Sequence, residues 1–168
     1  GVEHVTAVDP SSAMLEICKA KVKEKSLDEK ITCIEASAEL LPLNSNKFDI
    51  ATISFGLRNF DNIDKSLEEV NRILKFDGQI VIMEFFNFSI ISCKLSPYRF
   101  YMKNIVPFVG KKVSKHHNAY KYLFSSINEF YSIKQFAYLL QEKGFFIVKV
   151  KRIMFGIAHI VYAKKMDM

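Results

Sequence analysis

The chain has 168 residues, of which 49% are hydrophobic and 25% charged, and a net charge of +6; that is the balance of a single globular domain with a real core. Its cysteines, Cys18, Cys33 and Cys93, are odd in number and form no Cys-x-x-Cys pair, which argues against a disulfide framework or a zinc site and fits a reducing, cytoplasmic setting. No apolar run reaches the length of a membrane span, since the stretch from Ile80 to Ile91 is broken by Glu84 and Asn87, and no signal-peptide pattern opens the chain.

His4 to Val8 reads as a short strand ending in Asp9. Pro10, Ser11 and Ser12 then begin a helix with a hydroxyl as N-cap, and Leu15, Cys18 and Val22 share its apolar face. Ile31 to Ile34 is a second strand, followed by the loop Glu35-Ala36-Ser37-Ala38-Glu39 and a turn around Pro42. Phe48 to Ile53 is apolar and rich in β-branched residues, the mark of a strand buried in a parallel sheet. It opens into the polar cluster Ser54, Gly56, Arg58 and Asn59, at the carboxyl strand edge where open α/β sheets bind ligands.

Asp64 to Leu74 has a helical apolar face of Leu67, Val70 and Leu74; Asp77-Gly78 is a turn, and Gln79 to Glu84 a fourth strand. This alternation predicts an α/β fold with a mostly parallel sheet and right-handed crossovers. Residues 94–127 break the rhythm as an irregular helical insert within the single domain 1–168, with Pro97 and Pro107 as breakers. A last amphipathic helix carries Ile133, Phe136, Ala137 and Leu140 and stops at Gly144. Phe145 to Ile153 and Ile157 to Ala163 then form a terminal antiparallel hairpin through Phe155-Gly156.

Several positions can carry chemistry, each beside a plainer role. An acid at a strand end before a helix, as Asp9 is, accepts hydrogen bonds from a ribose diol or caps the helix. The Ser37-Ala38-Glu39 turn follows the next strand end, where an adenine edge or nothing at all would lie. No metal-ligand spacing is visible, and adjacent His116-His117 in a basic loop reads as solvated. Between Phe85 and Asn128 there is no Asp or Glu, while seven Lys and Arg stand among ten Phe and Tyr residues. Such a segment faces nucleic acid, an anionic membrane surface or simply water.

Taken in order, Val8-Asp9-Pro10-Ser11-Ser12-Ala13-Met14-Leu15, Ala36-Ser37-Ala38-Glu39-Leu40-Leu41-Pro42, Thr52-Ile53-Ser54-Phe55-Gly56-Leu57-Arg58-Asn59, Arg72-Ile73-Leu74-Lys75 with Gly78 and Glu84, and Ala119-Tyr120-Lys121-Tyr122-Leu123 resemble the ubiquinone/menaquinone biosynthesis C-methyltransferases. The resemblance implies a Rossmann-like class I methyltransferase sheet and S-adenosylmethionine as cofactor. It implies that Asp9 binds the ribose, that Ser37 and Ala38 line the adenine site, and that Ser54 lies under the cofactor. By the same resemblance Arg58 and Asn59 face the ring of a polyprenyl quinol, and residues 94–127 cap its tail. It further implies peripheral contact with the membrane that holds the substrate, and no nucleic-acid partner.

The family's first strand and glycine-rich loop have no counterpart here, and Phe76-Asp77-Gly78 replaces its Pro-Gly-Gly turn. The sequence is therefore read as starting mid-domain, and residues 1–168 alone are expected to bind the cofactor weakly. Two other classes stay open: a methyltransferase for RNA or another small molecule, and a non-catalytic partner in a quinone-biosynthesis assembly.

Overall fold

The computed structural model describes residues 1–87, 117–153 and 158–166, apart from the side chains of 117–121 and 124. Strand β1 (Val5–Asp9) leads into α1 (Ser12–Glu24) and returns as β2 (Ile31–Glu35). β1 and β2 pair in parallel, from Val5↔Ile31 to Asp9↔Glu35. β3 (Phe48–Ser54), a short helical turn (Leu57–Asn59), α2 (Ile63–Ile73) and β4 (Leu74–Phe85) form a second unit of the same kind, again parallel. α3 (His117–Glu129), α4 (Ile133–Glu142), β5 (Phe145–Ile153) and β6 (Ala158–Lys165) complete the chain order. β6 runs antiparallel to both β4 and β5. The result is the expected mixture of parallel strands and a terminal antiparallel pair.

Its strands fall into two sheets, β1-β2 and β3-β4-β6-β5, and among the described residues no ladder joins β1 to β3. Among the described residues β1 and β3 each have one edge without a strand partner, and Val5 and Ile50 in them are more than two-fifths exposed. The two sheets are tied through the loop after β2. The Arg72 guanidinium on α2 donates to the carbonyls of Leu41 and Leu43 at 3.0 and 2.8 Å while paired with Glu69. Glu69 in turn accepts the Leu41 N–H at 2.8 Å.

Local chemistry sets the helix ends. Ser11 is the N-cap of α1, Asn62 of α2 and Ser132 of α4, the last in a reciprocal capping box with Gln135. Gly144, at φ 79°, follows Lys143, the C-cap of α4, in the left-handed position that glycine fills without strain. The core lies on the face of the larger sheet covered by α2 and α4, where Leu67, Val70, Phe136 and Leu140 meet Ile80, Ile82 and Val161.

The fourth strand begins at Leu74 instead of Gln79. Phe48 pairs with Leu74, and an irregularity before Ile50 lets Lys75 to Gly78 pass before regular pairing resumes at Gln79. In that segment Asp77 adopts φ 58° and both its carboxylate oxygens accept from Lys164 Nζ at 2.9 Å. A Cβ on Gly78 would sit 2.8 Å from the Lys75 carbonyl oxygen, so that position admits only glycine without a backbone shift. Helix α2 ends one residue before its expected limit, because Leu74 is already extended. The expected cap, 94–127, falls on described residues only from 117 onward, within α3, and the Phe155-Gly156 connection lies outside them.

Candidate active site

β3 is not the fully buried strand its composition predicts: it lies at the edge of its sheet, with Phe48, Ala51 and Ile53 half-buried and Ile50 exposed, and it ends at Ser54, which is exposed and lies beside Met83 in the ladder. Phe55 then turns the chain at φ 55°, a left-handed conformation that is costly for an aromatic residue. Its N–H donates to the Met83 carbonyl at 2.9 Å, and its ring packs on Phe85 with centroids 4.7 Å apart. This reversal launches the turn Leu57–Asn59 across the carboxyl end of β4. There it meets Glu84.

Glu84 is completely buried and accepts from Arg58 Nε at 2.7 Å, from the Phe85 N–H at 2.8 Å and from the Arg58 N–H at 3.4 Å. Arg58 Nη1 donates to the Ser126 hydroxyl of α3 at 2.7 Å, and its Cζ lies 5.5 Å from the Phe85 ring centroid. Only 5% of the Arg58 side chain is exposed. Among the described residues Nη2 is the one guanidinium nitrogen left without a hydrogen bond, and it is not fully buried. The guanidinium is thus held at Nε and Nη1, with Nη2 unpaired among the described residues. Asn59, next to it, is exposed and accepts from the Tyr122 hydroxyl at 3.0 Å through Oδ1.

His159 stands opposite Glu84 and Arg152 in the β4-β6-β5 ladders. It is buried, edge-on to Phe86, and its Nδ1 has no partner among the described residues. Burial, and then the charge of Arg152, lower its pKa, which keeps the imidazole neutral at neutral pH.

At the end of β1, Asp9 Oδ1 accepts the Ser11 N–H at 2.8 Å, and among the described residues Oδ2 has no partner. The helix itself is capped by the Ser11 hydroxyl, which accepts the Met14 N–H at 3.3 Å. A half-buried carboxylate with one open oxygen, set before a helix, suits the two hydroxyls of a ribose. After β2, the exposed Ser37 hydroxyl donates to Glu39, whose other oxygen accepts the Asn62 N–H at 3.1 Å. Ser37 and the half-buried Ala38 therefore offer an adenine ring the turn's backbone and surface, the hydroxyl being engaged. Asp9, Ser37–Ala38, Ser54 and Arg58–Asn59 all lie at the carboxyl edges of the parallel strands.

Removing the Asp9 carboxylate by Asp9→Ala is expected to weaken S-adenosylmethionine binding in the full chain by about 1.5–3 kcal/mol, the range for a charge-assisted hydrogen bond. Ser11→Ala is expected to cost about 1 kcal/mol of stability and leave that affinity unchanged, since it removes the cap alone. Calorimetric titration beside urea denaturation of both variants separates the two roles. The opposite pattern would make Asp9 a structural residue.

Burial opposes ionisation of Glu39, but hydrogen bonds from Ser37, from the Asn62 N–H and from its own N–H hold its pKa down at about 2. Because the folded value is depressed, the stability it contributes is present above the unfolded carboxylate value of about 4.3 and is lost as pH falls toward 2. Glu39→Gln is therefore expected to flatten the unfolding free energy between roughly pH 5 and 2 relative to the parent. An unchanged acid slope would mean that this turn makes no contribution.

Sequence reasoning passed over Glu84, Ser126 and His159 as site residues. Glu84 carried a signal, a carboxylate inside an otherwise apolar strand, since such a group is buried only with partners. Ser126 carried none.

The chain matches the model of the ubiE/COQ5 methyltransferase family over residues 2–165. It is 38% identical over 167 residues to the ubiquinone/menaquinone biosynthesis C-methyltransferase UbiE of Campylobacter jejuni subsp. jejuni serotype O:23/36 (strain 81-176), covering 97% of this chain and 67% of that protein. It is 34% identical over 163 residues to the demethylmenaquinone methyltransferase of Bacteroides fragilis (strain ATCC 25285), with 97% and 66% covered. The chain thus spans about two thirds of the length of these curated relatives. Among solved structures it is similar to a SAM-dependent methyltransferase from Aquifex aeolicus, with a TM-score of 0.66 at 18% identity, covering 96% of this chain and 69% of that one. At that identity the likeness speaks for the fold alone.

Proposed function

The chain belongs to the ubiE/COQ5 methyltransferase family, and from that membership and the Arg58 geometry we propose that it carries out S-adenosylmethionine-dependent C-methylation of a polyprenyl quinol in menaquinone or ubiquinone biosynthesis. The observation that carries the site assignment is the guanidinium anchored by Glu84 and Ser126 with Nη2 left open. When bound, the cofactor supplies the electrophilic methyl group, so the protein's work is alignment and electrostatics. Asp9 holds the ribose, Ser37 and Ala38 border the adenine, and Ser54 lies under the amino-acid end.

A guanidinium offers donors and no acceptor, so Arg58 does not take the quinol proton. Its Nη2 donates to the quinol oxygen, and the donation strengthens as that oxygen gains negative charge. Water accepts the proton. Asn59 orients the same hydroxyl through its side-chain amide. The ring carbon next to that oxygen becomes the nucleophile, and a proton leaves it after transfer to restore the aromatic ring.

The protein works at the surface of the membrane that dissolves its substrate; no described helix is long and apolar enough to cross one. Methyl-labelled S-adenosylmethionine, the full chain and a polyprenyl quinol lacking the ring methyl, presented in anionic liposomes, provide the test. Label is expected in the quinol ring. Label in RNA and none in the quinol would favour the nucleic-acid alternative and overturn this reading.

A further inference from the structure

Cys18 lies between Leu15 and Val22 on the inner face of α1, and Cys33 lies in the middle of β2, paired with Ala7. Their sulfurs meet across the helix–strand packing at 3.5 Å, Cys33 donating and Cys18 accepting, and both residues are only half-buried. A disulfide needs an S–S distance of about 2.05 Å, so closure asks for an approach that side-chain torsions can supply. The exposure leaves room for a small reagent.

We propose that Cys18 and Cys33 form a thiol–disulfide exchange site, at which a low-molecular-weight disulfide of the glutathione type converts the pair into an intramolecular bond stapling α1 to β2. The order of events follows from the geometry. Cys33 keeps its proton, because burial and then its contact with Cys18 push its thiol up. Cys18, the acceptor of that proton's hydrogen bond, is the first nucleophile.

The Cys18 sulfur attacks one sulfur of the reagent, forming a mixed disulfide and releasing one thiol. Cys33 then attacks Cys18 Sγ, the protein S–S bond forms, and the second reagent thiol leaves with the Cys33 proton. The two protein thiols are oxidised by two electrons, and one reagent disulfide is reduced to two thiols. In a reducing compartment the pair rests as the dithiol and closes when the disulfide pool rises.

The place of the bond gives it a consequence. Among the described residues β1 and β2 share no ladder with the other four strands, and α1 packs on β2 beside the β1–β2 ladder. Asp9 precedes α1 and Ser37 follows β2. The bond would therefore rigidify the part of the fold that carries both.

The test uses the full chain with Cys93→Ser, incubated with oxidised glutathione and analysed by intact mass and non-reducing peptide mapping. The expected product has lost one pair of hydrogens, holds a Cys18–Cys33 linked peptide and carries no glutathione. Its unfolding midpoint is expected to rise by roughly 5–10 °C, as for a short loop closed in a domain of this size, and dithiothreitol should reverse the rise. Cys33→Ser should instead accumulate glutathione on Cys18. A parent chain that ends as a glutathione adduct without the link, or a link formed with no rise in the midpoint, would overturn the proposal. Neither readout depends on methyl transfer, so the result stands apart from the assignment above.

Discussion

Arg58→Met is expected to lower the unfolding free energy by about 3–5 kcal/mol, because it leaves the completely buried Glu84 carboxylate without its counter-ion. Removing the charge from the other side, in Arg58→Met/Glu84→Gln, should recover most of that loss. The carbonyl oxygen of Gln still accepts the Phe85 N–H, which a leucine there would strand, and only the longer 3.4 Å bond from the N–H of residue 58 to the other oxygen is given up. Urea midpoints at constant slope measure both variants. A single variant as stable as the parent would mean that Glu84 is not held as an ion, and the geometry of the whole edge would need another account. The result also bears on how any Arg58 substitution is read: a truncation that abolishes turnover says little until its folding has been measured.

Much of the fold was legible because its determinants are local. Alternating apolar and helical periods marked β1 to β4 and α2, and the hydroxyl cap at Ser11 is short-range chemistry. The string Ser54 to Asn59 likewise stands at the carboxyl end of β3, where the sequence put it. What the sequence did not disclose depends on pairs far apart in the chain. Arg58 and Glu84 are 26 residues apart, and Arg58 and Ser126 are 68 apart, so nothing in the motif told that the guanidinium would be buried with only one nitrogen open. The Ser37 hydroxyl is held by Glu39 two residues on, a contact that the loop composition alone does not disclose. The early start of β4 had the same origin. Asp77-Gly78 reads as a turn, yet the Phe48–Leu74 pairing brings the chain into the sheet before it.

Arg58→Lys isolates the chemistry from the fold. A lysine keeps a cation beside Glu84 but offers a single point charge in place of the planar fork, so it cannot hold Glu84, Ser126 and a quinol oxygen together. Turnover on the quinol is expected to fall roughly a hundredfold, as for loss of one oxyanion donor, with S-adenosylmethionine affinity unchanged. The separation of kcat from cofactor binding is the informative part, since Arg58 is assigned to charge that develops only in the transition state. Equal losses in both would place it in the cofactor site, and near-normal turnover would remove it from the mechanism.

The central claim is that Arg58 presents Nη2 to the quinol oxygen while Nε and Nη1 remain on Glu84 and Ser126. It is tested most directly by nitrogen NMR of the guanidinium groups in the full chain, titrated with a polyprenyl quinol in the presence of S-adenosylhomocysteine. A saturable shift is expected at Nη2 of Arg58, with a small change at Nε. Saturable quinol binding that leaves every Arg58 nitrogen unmoved would contradict it.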